Sequence, residues 1–208
     1  MSIDPYLFGG SPRQVRNTQR RWIPVFNHSG PVLDIGCGRG IFLSMMQRLG
    51  TPVVGIDTYE PAVRACRDQG LEAHVANALS YLPSHEGAYG GIFCSHVIEH
   101  LCFEDAQRLV SLCAGALKPG GRLVLVTPNI ADVGVVGGTF WLDPTHVRPY
   151  PIPLIESLVR DAGLTAVRSG TFHGGLPKRD VPQHLLYRAL LGRFYGRPNA
   201  SVLSTRSL

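Results

Sequence analysis

Apolar residues in this chain fall into short unbroken runs, separated by longer stretches in which they recur every third or fourth position. The runs occupy 32–36, 52–57, 71–75, 90–95 and 122–127. Runs of this length, apolar on both faces, predict strands of a sheet covered on both sides. The stretches between them predict helices over 40–49, 60–69 and 103–117. Pro61 suits a helix start, and Lys118-Pro119-Gly120-Gly121 stops the third helix with residues that cannot continue it. A basic helix is predicted over 11–26, opening at Ser11-Pro12 with Arg13, Arg16 and Arg20 on one face. Beyond an irregular stretch at 128–150 come a helix at 153–162, a strand at 165–171, a helical stretch at 183–195 and a last strand at 201–205.

Strands alternating with helices imply right-handed crossovers and a parallel sheet with helices on both faces. A last strand returning antiparallel beside the fifth completes seven. The expected fold is therefore a Rossmann-like, mostly parallel α/β sheet, in one domain over 1–208.

The first run breaks in a way that points to a ligand. Residues 32–40 read Val-Leu-Asp-Ile-Gly-Cys-Gly-Arg-Gly, and Ile41, Phe42, Met45, Met46 and Leu49 then begin a helical stripe. Glycines at 36, 38 and 40 permit positive φ and a close approach that a Cβ would exclude. The dinucleotide fingerprint needs its third glycine at position 41, where Ile41 stands. Asp34, just before the turn, suits a cationic ligand better than a pyrophosphate. Asp57 ends the second run, where a carboxylate can take both hydroxyls of a ribose, with Thr58 and Tyr59 along the same rim.

The spacing Asp34-x-Gly36-x-Gly38-x-Gly40 resembles the first motif of class I S-adenosylmethionine methyltransferases. That resemblance places Gly36, Cys37, Gly38 and Gly40 under the methionine part of the cofactor. It continues through Asn77-Ala78-Leu79, where the family usually has an acid reading the adenine amino group. The Asn77 amide oxygen can still accept that bond. It continues again through Ser95-His96-Val97-Ile98-Glu99-His100-Leu101, after the strand that faces the methyl-bearing sulfur, and through the Lys118–Asn129 block. S-adenosylmethionine is the implied cofactor, held by Asp34, Gly36, Cys37, Gly38, Gly40, Asp57, Thr58, Asn77, Ala78 and Ser95.

A closer resemblance is to one bacterial, type 11/23-like group, whose members include methyltransferase domains of enzymes that modify surface polysaccharides. It rests on Tyr6-Leu7-Phe8-Gly9-Gly10-Ser11, on Thr127-Pro128-Asn129 and on Phe140-Trp141-Leu142-Asp143-Pro144-Thr145-His146-Val147-Arg148-Pro149. Gly9 stands where the group usually has an arginine. The resemblance adds Gln19 to the cofactor set and makes 1–28 an N-terminal helical cap, with 128–150 and 172–195 as acceptor-side insertions.

Methyl transfer to a hydroxyl needs in-line alignment and somewhere for the proton to go. His146, His100 and His96 are the candidate bases, because imidazole titrates near neutral pH. His146 is expected to face the acceptor near Asp143; a structural role in a Pro-flanked loop is the competing reading. Arg148 and Arg179 are candidate partners for an acidic acceptor, and Phe140 and Trp141 either wall the site or fill the core. The histidines lack a compact ligand spacing, so no metal is expected.

Composition limits the alternatives. The chain has 208 residues, 44% of them hydrophobic, with no apolar run near the ~20 residues of a membrane helix. Its first residues lack the basic-then-apolar form of a secretory signal, so a cytoplasmic protein is expected. The five cysteines have no Cys-x-x-Cys pair and are expected to be buried free thiols. The formal net charge of +5 is carried by arginine, Lys118 and Lys178 being the only lysines. That permits an anionic substrate, although a compositional bias of the genome explains it equally well. Nucleic acid is not the expected acceptor: the Asp/Asn-Pro-Pro-aromatic motif is absent after the fourth strand, and there is no Pro-Cys nucleophile. The expectation is transfer of a methyl group to an oxygen of a small molecule, glycan or lipid-linked intermediate. The alternative is a catalytically silent, cofactor-binding subunit that supports a partner protein.

Overall fold

The computed structural model describes Tyr6 and residues 10–27, 29–172 and 199–206. Its strands are β1 (Val32–Ile35), β2 (Val53–Asp57), β3 (Ala73–Val75), β4 (Tyr89–Ser95), β5 (Leu117–Pro128), β6 (Leu164–Phe172) and β7 (Asn199–Arg206). They form one sheet in the order β3-β2-β1-β4-β5-β7-β6. The pairs from β3 to β5 are parallel, and β7 runs antiparallel between β5 and β6. The chain winds outward from β1 to β3, then returns to place β4 on the other side of β1. The strand order therefore reverses between β1 and β4, the place where such sheets bind ligands at their carboxyl ends.

The helices are α1 (Pro12–Gln19), α2 (Ile41–Gln47), α3 (Glu60–Asp68), α4 (Ala78–Tyr81), α5 (Phe103–Ala116), α6 (Val133–Val136) and α7 (Ile152–Asp161). Ser11 caps α1: its Oγ accepts the Gln14 N–H at 3.3 Å, while Gln14 Oε1 accepts the Ser11 N–H at 2.8 Å. The predicted helix over 11–26 is α-helical only as far as Gln19. It tightens into a 3₁₀ helix, Arg20–Phe26, which contains Pro24, a residue with no N–H for an α-helical ladder.

A second departure concerns the breakers at 118–121, which lie inside β5 rather than before it. Tyr89 pairs with Leu117 and Gly91 with Arg122, so β5 takes extra residues as a bulge that absorbs the glycines. The helical stretch predicted over 183–195 lies outside the described residues, as does nearly all of the insertion over 172–195.

Alternate residues on the central strands enter opposite layers. Val32, Phe93, Val124 and Val126 join Phe26, Phe42, Met46 and Phe172 on one face. Leu33, Ile35, Ile92, Leu123 and Leu125 join α5 and α7 on the other, through Leu109, Val110, Cys113, Ile155 and Val159. Phe42 stacks on Phe93 with ring centroids 4.2 Å apart, and Phe26 meets Phe42 edge-on at 5.7 Å. Gly91 makes this possible, because a Cβ there would stand 2.4 Å from Cδ1 of Phe26. Cys37, Cys66, Cys94 and Cys113 are buried free thiols as expected, whereas Cys102, preceding α5, is exposed.

Candidate active site

The glycine turn and the end of β2 are bonded to each other. Gly38 N donates to Oδ2 of Asp57 at 2.9 Å, Tyr59 N donates to Oδ1 at 2.9 Å, and the Tyr6 hydroxyl donates to Oδ2. Asp57 is only 6% exposed, at the tip of its strand. The turn is held against β2 by the Gly36 and Cys37 N–H groups, which both donate to Ile56 O, at 2.9 and 3.1 Å.

Gly38 has φ +52°, and a Cβ on it would come within 2.9 Å of the Tyr6 ring, so the missing side chain lets that ring lie over the turn. Gly40 serves a different end. A Cβ there would strike Leu71 and Cys66, so its small size lets α3 and its flanking loop close on the turn. Cys37 turns inward among Leu43, Val63 and Cys66, which leaves only its main chain to meet a ligand.

Asp34 lies inside β1 at 1% exposure, and its Oδ2 is buried with no hydrogen-bond partner. Burial, then the Asp57 charge, then Cys66 push its carboxyl well above the usual carboxylate range. A buried acceptor without a donor is costly, and a cationic ammonium would supply one. Gln19 likewise has Oε1 buried and without a partner. Thr58 is exposed beside Asp57. Asn77 is exposed and caps α4, its Oδ1 accepting the Leu79 N–H at 2.8 Å, so an adenine would share an oxygen already engaged. Ala78 is partly buried against the main core, and Ser95 half-buried at the tip of β4. These groups fit S-adenosylmethionine: Asp57 for the ribose, the glycine turn and Asp34 for the methionine end.

The loop after β4 packs on the same turn, since a Cβ on Gly36 would meet Val97 Cγ2 at 2.4 Å. His96 there holds φ +58°, the one non-glycine residue with positive φ among those described. Its N–H donates to Val126 O at 2.8 Å and its Nδ1 lies 3.1 Å from Oε1 of Glu99. Glu99 is fully buried, and its Oε2 accepts from Thr127 Oγ1 at 3.1 Å. Burial alone would raise the Glu99 carboxyl. The His96 hydrogen bond and charge, a main-chain hydrogen bond and His100 instead hold it below the usual range.

The Asp143–Arg148 segment is tied to this loop by Val147 N and Arg148 N, which donate to Glu99 O at 2.9 and 3.3 Å. The tie brings the His146 ring within 4.7 Å of His100, centroid to centroid. His146 Nδ1 donates to Phe140 O at 2.6 Å, and its Nε2 is 3.9 Å from Asp143 Oδ2. His100 Nδ1 lies 2.8 Å from Thr145 Oγ1, which itself donates to Asp143 Oδ1 at 2.5 Å. Phe140 is core, whereas Trp141 is 58% exposed with its Nε1 donating to Val136 O at 2.9 Å. Arg148 lays its guanidinium over the Phe103 and Tyr150 rings. Arg179 lies outside the described residues.

The three predicted histidines therefore gather around the loop after β4, whose Val97 packs on the glycine turn, with His100 and His146 paired and His96 held by Glu99. Sequence reasoning named two further residues only within motif blocks and gave neither a place in the site: Tyr6, which bonds Asp57, and Glu99, whose burial nothing in its Glu-His neighbourhood announces.

A glycine turn, a ribose-type carboxylate at the strand-order reversal and a polar loop after β4 define a nucleoside-binding α/β domain. The sequence matches the methyltransferase-domain family (Methyltransf_23) over residues 12–169, and the chain belongs to that family. Its class uses S-adenosylmethionine as methyl donor. Similar curated proteins are named ubiquinone biosynthesis O-methyltransferase. The one from Xanthomonas oryzae pv. oryzae strain PXO99A is 36% identical over 104 residues, which is 47% of this chain and 43% of the relative, so the match spans less than half the relative's length. The one from Pectobacterium atrosepticum is 34% identical over 181 residues, covering 82% of this chain and 71% of the relative. Among solved structures, a SAM dependent methyltransferase from Archaeoglobus fulgidus superposes with TM-score 0.84 at 28% identity, over 97% of both chains. Magnesium protoporphyrin IX methyltransferase from Synechocystis, with bound SAH, gives 0.67 at 18% identity over 93% of this chain and 84% of that one, a likeness of fold. No helix among the described residues is long and apolar enough to cross a membrane.

Proposed function

We propose that the protein transfers the methyl group of S-adenosylmethionine to an oxygen of a small-molecule, glycan or lipid-linked acceptor, as a cytoplasmic enzyme. The observation that carries this reading is the His100–His146 pair, held together where the Asp143–Arg148 segment meets the loop after β4, with each Nδ1 already bonded. When bound, the cofactor supplies a methyl already activated on sulfonium, so the protein must align the acceptor and receive its proton.

Asp57 and the glycine turn hold the adenosyl end, with Asn77 and Thr58 at its rim. Asp34 and Gln19 offer buried acceptors toward the methionine end. His146 is fixed by Phe140 O with Nδ1–H as donor, which leaves Nε2 to take the hydroxyl proton. Asp143 Oδ2, 3.9 Å away, steadies the imidazolium that results. Relatives named O-methyltransferase support an oxygen acceptor. Val133, Trp141, Leu142 and Val147 expose apolar side chains on the segment that carries His146, which suits an acceptor with a hydrocarbon part.

Radiolabelled methyl transfer to a cell extract tests the activity, and His146→Ala tests the base. The variant is expected to lose turnover by about 10²–10⁴-fold with cofactor affinity retained. Unchanged turnover in a folded variant removes His146 from the mechanism. Cofactor binding without transfer to any acceptor would favour the silent-subunit reading.

A further inference from the structure

Glu99, His100 and His146 each bring one ligand-type atom, a carboxylate oxygen or a ring nitrogen, to a place where all three lie within 4.8 Å of one another. Glu99 and His100 come from the loop after β4, and His146 comes from the segment tied to it 45 residues or more along the chain. We propose that these three residues bind a divalent cation of the zinc type beside the acceptor position, an inference that deepens the oxygen-methylation reading and rests on it for its chemical purpose.

Hydrogen bonding has already chosen the tautomer of both rings. A carbonyl can only accept, so His146 carries its proton on Nδ1, facing Phe140 O. The Thr145 hydroxyl has one proton and places it on Asp143, so its oxygen accepts from His100 Nδ1–H. Each neutral imidazole is thereby left with a bare Nε2. An N–H anchored on a carbonyl, or through a hydroxyl on a carboxylate, is the usual second partner of a metal-binding histidine.

Glu99 adds a fully buried carboxylate. His96, Thr127 and a main-chain N–H engage three of the roughly four acceptor positions of its two oxygens, which leaves one for a cation. A buried negative charge steadied by hydroxyl and imidazole groups gains from a cation within reach. Two imidazoles and one carboxylate suit zinc and its neighbours, with positions left open, and suit magnesium poorly. Bonds of about 2.0–2.1 Å to a tetrahedral ion put ligand atoms about 3.3 Å apart, so the three groups need close by no more than about 1.5 Å.

An acceptor hydroxyl taking an open position would lose its proton to solvent at lower pH. The oxygen then forms its bond to the methyl carbon as the carbon–sulfur bond breaks, and that electron pair stays on sulfur. With a cation bound, His146 Nε2 serves as ligand rather than as base.

The test is a titration of metal-free, tag-free protein with zinc by calorimetry and with cobalt by visible absorption. One equivalent should bind, with cobalt ligand-field bands and no thiolate charge-transfer band. His100→Gln and His146→Gln should each weaken binding at least about tenfold, and Thr145→Val by about 10–100-fold. His85→Gln, whose ring stacks on Tyr81 away from the site, should not change it. Thermal unfolding and S-adenosylhomocysteine affinity verify that each variant is folded. Absence of saturable binding, a site surviving both histidine changes, or a thiolate band overturns the inference. Methyl transfer that persists under chelation would then leave the base mechanism standing, whereas failure to bind cofactor would sink that reading without affecting the metal titration.

Discussion

The Tyr6 hydroxyl donates to Oδ2 of Asp57, the same oxygen that accepts the Gly38 N–H at 2.9 Å. On the proposed reading, in which Asp57 takes the ribose hydroxyls, a phenol occupies the carboxylate oxygen the ribose would use, and its ring covers the glycine the ligand would approach. Cofactor binding would then displace that bond.

Tyr6→Phe should therefore tighten cofactor binding. A hydrogen bond to a charged group contributes about 1.5–3 kcal/mol, so removing this competitor lowers Kd by about tenfold or more. Calorimetric titration with S-adenosylhomocysteine reads the change directly. A higher Kd would mean that the phenol holds the ligand rather than its place.

Asp34 sets a trade between stability and binding. Burial, Asp57 and Cys66 raise its carboxyl in the folded state. A raised pKa favours the fold below the unfolded value of about 3.9, and this contribution is lost as pH rises through the folded value. Asp34→Asn removes the dependence. In urea titrations the cofactor-free variant should gain stability over the wild type as pH is raised, while binding S-adenosylmethionine more weakly. A variant equally stable at every pH would show that Asp34 is not strained by burial.

The aromatic cluster under the turn should behave as pure scaffold. Phe42 is fully buried and stacked on Phe93. Phe42→Ala should cost about 3–5 kcal/mol in chemical denaturation, with cofactor affinity of the folded protein unchanged. A large loss of affinity would tie the cluster to the site.

The parts of this fold that can be read in the sequence are those whose physics is local. β1, β2, β4 and β5 are apolar on both faces, so their runs stand out, and β7 appears where completion of the sheet requires it. The single-turn helices α4 and α6 are too short to show a period. The start of β5 is hidden because its bulge is built from the residues that ordinarily end elements. The same division holds for the site. Asp57 and the glycines are adjacent in pattern and legible. The meeting of His100 with Thr145 and His146 depends on main-chain bonds from Val147 and Arg148 to Glu99, which no local spacing encodes. Glu99 looks like a surface acid and is fully buried.

The central claim, that the turn at 36–40 and Asp57 together hold an adenosyl sulfonium, is tested most directly by titrating S-adenosylmethionine into wild-type and Asp57→Ala protein in a calorimeter. One saturable site in the wild type, weakened at least about tenfold by the substitution, is the predicted result. No heat from folded wild-type protein, or equal affinity in the two, would contradict it.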